Sequence, residues 1–334
     1  MKKDTVYAEN AAQALDFAIK QSVPDASVSE YYEIDGVKRY NYMSNAKWEQ
    51  FVADMQANYK RVYDQYKKGG GKELWASCYK SKIPNIPPKM ASYGSSSRMI
   101  YLLSRDIGGF QFERQLATTV GGTANMDGFI NRCGEDIYIE AKCREPYSNA
   151  NGTNKKEVVS TKYETLYQVL QKANVGFSFL RSPHYKKIDG VSVESTNSMR
   201  VEFSIGGKKF THFDLKQAIC HLLGIATYNL THPTAAKTRF LYMLYNPEEV
   251  INEFSQSELS QTKLLKQKVL DSYEKELEQL AAMKVTMKVL YGEIVKYLCE
   301  NFYKDATERV QRTVDDFTFD YCDQTTYLKA LHLE

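Results

Sequence analysis

The chain has 334 residues, 43% hydrophobic and 25% charged, with a formal net charge of +3; this suits one large or two modest folded domains and excludes low-complexity, collagen-like and disordered chains. No run approaches the roughly eighteen apolar residues of a membrane span, and Met1-Lys2-Lys3-Asp4 leads into an amphipathic pattern, not a signal peptide's apolar core, so a soluble, cytoplasmic protein is expected. The cysteines Cys78, Cys133, Cys143, Cys220, Cys299 and Cys322 are scattered without a Cys-x-x-Cys pair, which argues for reduced thiols and against a zinc site or disulfide framework.

Residues 9–21 and 45–67 carry apolar residues at helical spacing, the second with Trp48, Phe51, Val52, Met55, Tyr59 and Val62 on one stripe. Residues 38–98 hold twelve Lys or Arg against four Asp or Glu, so residues 1–106 are expected to form a helical, basic region that meets a polyanion. Lys60, Arg61, Lys67 and Lys68 interleave with Tyr59, Tyr63 and Tyr66; phosphate neutralisation plus stacking is one account of that pattern, a solvated helix face the other. Lys67-Lys68-Gly69-Gly70-Gly71-Lys72 ends the helix without being a phosphate-binding P-loop, since Tyr66 and Glu73 stand where that motif needs Gly and Ser or Thr. Ser95-Ser96-Ser97-Arg98 and Thr118-Thr119 are candidates for phosphate contact through hydroxyls or a helix end.

Met126-Asp127-Gly128-Phe129-Ile130-Asn131 and Asp136-Ile137-Tyr138-Ile139-Glu140-Ala141-Lys142 flank Arg132-Cys133-Gly134-Glu135. A four-residue hairpin loop there sets Asn131 opposite Asp136, and counting back pairs Asp127 with Glu140. Opposed residues share a face with Cβ atoms about 4.5–5.5 Å apart, and two carboxylates that close repel unless a cation sits between them. Hard oxygen ligands suit Mg²⁺ or Mn²⁺. Strand alternation adds Lys142 to the Glu140 face and turns Ile137, Ile139 and Ala141 to the core.

Further along, residues 148–156 read as a loop, residues 161–173 as a helix, and residues 176–180 and 199–211 as strands with a Gly206-Gly207 turn. Phe213 to Leu223 has a helical pattern, Arg239 to Tyr245 a strand pattern. Residues 257–303 are helical with little interruption, either one long dimer-forming helix or two broken near Lys284; heptads are not sustained, which favours bundle packing. Residues 314–321 alternate as one more strand, and residues 248–334 hold eleven basic against seventeen acidic side chains.

The Asp127, Glu140 and Lys142 spacing resembles the PD-(D/E)xK nuclease superfamily, with Met126 in place of the family's proline. The resemblance implies an α/β restriction-endonuclease-like core, a mixed central sheet flanked by helices, over residues 107–247 with an insertion at 146–209. It makes Phe110 to Ala117 the first core helix carrying Glu113, Phe213 to Leu223 the later helix carrying Gln217, and Arg239 to Tyr245 the closing strand. Residues 248–334 are then a C-terminal helical region and the natural candidate for a dimer interface.

The chemistry implied is Mg²⁺-dependent hydrolysis of DNA phosphodiester bonds, Mn²⁺ substituting, in restriction or anti-phage defence. Asp127, Glu140 and the Ala141 carbonyl would hold the metal, Glu113 would recruit a second, Lys142 would orient the attacking water, and Gln217 would position water or phosphate. Arg144, two residues beyond Lys142, joins Lys60, Arg61, Lys67, Lys68 and Arg98 as a nucleic-acid contact. Double-stranded DNA is the expected partner, and two cuts on opposite strands imply a homodimer. The alternatives are a non-catalytic nucleic-acid-binding scaffold on the same fold and a repair or RNA-directed nuclease.

Overall fold

The computed structural model describes residues 8–27, 29–69, 73–75, 87–144, 147, 157–173, 175–210, 212–232, 236–254 and 259–334. The expected loop at 148–156 lies outside them. Asn10 caps α1 (Ala11–Ser22) by accepting the Gln13 N–H, and a short hairpin of β1 (Tyr32–Ile34) and β2 (Val37–Arg39) follows. The stretch expected as one helix is two, α2 (Asn45–Asn58) and α3 (Lys60–Lys68), because Tyr59 leaves helical geometry at φ −128°. Its ring sits edge-on to Tyr101 of α4 (Ser96–Ser104), 5.9 Å between centroids, so the break keeps the apolar stripe on the core.

Phe110 to Ala117 is not a helix. Gln111–Ala117 forms strand β3, with Phe112 and Leu116 buried along it and Phe110 buried just before it. It pairs with β4 (Thr123–Arg132), which returns as β5 (Glu135–Lys142). The hairpin turn is two residues and not four: Arg132 pairs with Glu135 around Cys133 and Gly134, at φ 51° and 77°. Two consecutive positive φ values match the twist of the flanking strands. The shorter turn leaves the register unchanged, and Asn131 faces Asp136 as expected.

Strand β6 (Glu157–Ser160), helix α5 (Glu164–Gln171) and strands β7 (Phe177–Ile188), β8 (Val191–Ile205) and β9 (Lys208–Lys209) make a second antiparallel sheet in the order β6-β8-β7, with β9 on β8. The β7–β8 arm is far longer than its sequence suggested. Its outer half is exposed on both faces, so no apolar alternation marks it, and it turns at Asp189-Gly190.

Helix α6 (Leu215–Thr231) leads to β10 (Lys237–Leu244), then come α7 (Glu248–Glu253), α8 (Leu259–Asn301), α9 (Val310–Asp315), β11 (Phe317–Asp323) and α10 (Tyr327–Ala330). The central sheet runs β11-β10-β5-β4-β3, with β10 parallel to both β5 and β11. Strand β10 is therefore interior, and the C-terminal segment supplies the sheet's edge. Helix α8 is unbroken at Lys284 and spans 43 residues, about 64 Å at 1.5 Å per residue. Its apolar stripe is spent inside the chain: Tyr291 stacks on Phe317 at 3.9 Å, and Leu280, Met287, Leu290 and Ile294 are fully buried. Among the described residues no helix is long and apolar enough to cross a membrane.

A Cβ on Gly128 would lie 2.4 Å from the tip of the buried Phe110 ring and 3.4 Å from Ile139. Gly128→Ala is expected to destabilise by about 1–3 kcal/mol through overpacking. A urea midpoint equal to that of the native chain would contradict this packing.

Candidate active site

Both ladders of β4 are interrupted at the same place, the β3–β4 ladder resuming at Arg114 and Met126 and the β4–β5 ladder ending there. The β3–β4 pairing omits Glu113 and Asp127, and the β4–β5 pairing ends at Gly128 opposite Ile139, one step before Asp127 and Glu140 would meet. Glu113 takes φ +52°. The change of face is visible on either side of it. Phe112 packs on Tyr66 and Tyr101, whereas Arg114, two residues on, lies over Phe129 and Tyr228 on the α6 side. In an unbroken strand those two side chains would share a face.

Asp127 turns its carboxylate across the gap, where Oδ2 accepts the Ala141 N–H at 2.7 Å. Glu140 and Lys142 are buried, 3% and 9% exposed, and Lys142 Nζ donates to Glu140 Oε1 at 2.5 Å. Gln217 closes a triangle, its Nε2 donating to Glu140 Oε1 at 2.6 Å and its Oε1 accepting from Lys142 at 2.7 Å. The amide is placed from afar. Gln279 of α8 accepts the His212 and Phe213 N–H groups, Asp214 caps α6 by accepting the Gln217 N–H, and the first turn then faces the sheet. Behind it, His221 Nδ1 lies 3.6 Å from Glu140 Oε2. Burial and the nearby Lys142 hold this imidazole down at about 3, so it is neutral.

These groups line a cleft of about 1080 Å³ together with Glu113 and Glu73. Burial, followed by the charges of Glu73 and Asp127, raises the Glu113 carboxyl well above the usual carboxylate range, and Lys89 opposes the shift. Glu73 is itself paired with Lys89 at 3.0 Å. As placed, the described residues form no group of three or more His, Cys, Asp or Glu around one point that could hold a metal ion. The donor types nevertheless suit a hard cation: carboxylates from Glu113, Asp127 and Glu140 share one wall, and the repulsion that lifts Glu113 is what such a cation would relieve.

The expected nucleic-acid contacts are dispersed. Lys60 pairs with Asp64, Arg61 donates to the Phe110 carbonyl, and Lys67 and Lys68 are exposed on the last turn of α3. Arg98 is buried with its guanidinium 5.1 Å from the Tyr93 ring. None of these five lines the cleft. Its basic residues are Arg39, Lys89, Lys142, Arg144 and Lys268, joined by Ser95, Ser96 and Ser97 at the start of α4. Arg144 is held by Asp16, a fully buried acid of α1, at 2.8 Å, and Asn41 donates to the same Oδ2 at 2.6 Å. Glu73, Lys89 and His221 carry no local sequence signal. Asp16 does, since an acid inside the apolar pattern of α1 requires a buried partner. No family model matches the chain, and comparisons with curated proteins and with solved structures return no match.

Because the folded-state value of Glu113 is raised, the native chain binds this proton more tightly than the unfolded one. Stability from this group is therefore full below the unfolded glutamate value of about 4.3 and falls as pH rises through and above it. Glu113→Gln is expected to melt higher than the native chain at pH 7.5 and together with it near pH 4; equal melting temperatures at both would contradict the raised carboxyl. Arg144→Ala strips a charged partner from buried Asp16 and is expected to cost about 1.5–3 kcal/mol by urea unfolding, the low end reflecting the bond from Asn41 that survives.

Proposed function

We propose that this chain is a metal-dependent endonuclease that hydrolyses phosphodiester bonds of DNA, with Asp127, Glu140, Lys142 and Gln217 as its catalytic group. The observation that carries this is the closed Glu140–Lys142–Gln217 triangle beside Asp127 at the interrupted rung, facing a cleft large enough for a nucleic-acid strand. A mixed sheet in which β3, β4 and β5 form a meander and β10 and β11 add in parallel supports a restriction-endonuclease-like core.

Asp127, Glu140 and the Ala141 carbonyl would hold Mg²⁺ or Mn²⁺, with Glu113 as a further carboxylate. Bound there, the ion supplies Lewis-acid polarisation of the phosphate and a bound water of lowered pKa. The side chains do the rest. Lys142, fixed by two acceptors, presents an ammonium that orients the attacking water and offsets charge gathering on the phosphate in the transition state. Gln217 keeps Lys142 and Glu140 in register, and neutral His221 backs Glu140 without adding a competing positive charge. Arg39, Arg144 and Lys268 attract the polyanion along the cleft. A homodimer for two-strand cutting would need a surface other than the buried stripe of α8.

Plasmid DNA incubated with the protein and Mg²⁺ or Mn²⁺ is expected to be nicked or linearised, with Asp127→Asn, Glu140→Gln and Lys142→Ala each slowing cleavage by about 100-fold or more and Gln217→Ala by less. Cleavage at the native rate by any of the first three would remove that residue from the site. Salt-sensitive DNA binding without cleavage under either metal would make the chain a binding scaffold.

A further inference from the structure

A second cavity of about 350 Å³ adjoins the cleft, within the size range of small-ligand sites. It lies between the two sheets, with the start of β4 and the first turns of α6 on one side and β6 with α5 on the other. Asn125 and Gln217 line both spaces, so they meet at the amide that hydrogen-bonds Glu140. Its floor is aromatic and neutral. The Tyr163 hydroxyl lies 3.6 Å from Cys220 Sγ, and burial raises both groups so that each keeps its proton. Tyr163 stacks at 6.1 Å on Tyr167, Val158 forms an exposed lip, and Asn125, Asp214, Lys216 and Gln217 add polar groups to the lining.

We propose that this cavity receives one nucleobase, that of a nucleotide next to the scissile phosphate; the inference rests on the nuclease reading above. A flat ring with a polar edge matches the aromatic Tyr163 and Tyr167 together with the amides of Asn125 and Gln217 and the opposite charges of Lys216 and Asp214. The shared wall at Gln217 places that base within one nucleotide of Glu140 and Lys142. A base stacked inside an intact duplex cannot enter a side cavity without being unpaired and extruded. The preferred substrate is therefore single-stranded or locally unpaired at the cut, and the second sheet gains a role as the outer wall of the base site.

The test measures binding of the full chain, with Ca²⁺ replacing Mg²⁺, to a short fluorescein-labelled oligodeoxythymidylate and to an abasic strand of the same length and charge. The native chain is expected to favour the base-bearing strand on the order of tenfold, as stacking of a single base allows. Cys220→Trp, which fills the cavity, and Val158→Glu, at a lip position 43% exposed where folding is not at stake, are expected to lose that preference while keeping the affinity for the abasic strand. Equal affinity of the native chain for both strands, no binding to either, or a preference that survives Val158→Glu would overturn the base site. Plasmid cleavage separates the two ideas: cleavage without base preference leaves the nuclease and removes the cavity, whereas cavity-dependent preference without cleavage under Mg²⁺ or Mn²⁺ leaves the base site and removes the nuclease.

Discussion

Continued by one step, the β4–β5 ladder would set the Asp127 and Glu140 carboxylates directly opposite each other in the middle of a sheet. The chain avoids that repulsion by giving up the rung: Asp127 rotates to accept the Ala141 N–H, and Glu113 on the neighbouring strand takes a left-handed conformation at the same level. A left-handed non-glycine residue costs about 1–3 kcal/mol, so surrounding packing must hold it, and the buried rings of Phe110, Phe112 and Tyr66 do so. The interruption opens the sheet toward the cleft that Glu113, Asp127, Glu140 and Lys142 line. Continuous pairing would have closed it.

Holding this opening requires elements far away in sequence. Helix α8 fixes the entry to α6 through Gln279, and Tyr242 of β10 donates to its buried Glu276 at 3.0 Å. Asn229 of α6 ties Tyr291 of α8 to Thr238 of β10, cross-linking helix and sheet through the helix that carries Gln217. Helix α1, packed on α7 and α8, adds Asp16 to hold Arg144. The long helix α8 is thus a brace for the site as well as the back of the core.

Among the described residues, the cleft's cations come from separate stretches of chain, at Arg39, Lys89, Lys142 with Arg144, and Lys268, set against Glu9, Glu73, Glu113, Asp127 and Glu140. The dense run of basic residues around α3 points elsewhere or is tied up locally. A charge count along a sequence reports composition by segment, while the potential in a cleft depends on which side chains the fold gathers there.

The sequence by itself determined what depends on neighbours a few residues apart. The alternation in β5 marks Ile137, Ile139 and Ala141 as core and Glu140 and Lys142 as partners on the other face, and the hairpin register follows from the turn between Asn131 and Asp136. The helix that the family resemblance implied over Phe110 to Ala117 is strand β3 instead, and its side chains change face at Glu113. Only the tertiary structure decided that Gln217 closes on Glu140 and Lys142, that Glu73 and Lys89 flank Glu113, that Arg144 belongs to Asp16, and that the last strand completes the central sheet. Those contacts join residues tens to more than a hundred positions apart. Local backbone preference carries no information about such pairs; burial and charge compensation select them once the sheet and its helices have assembled.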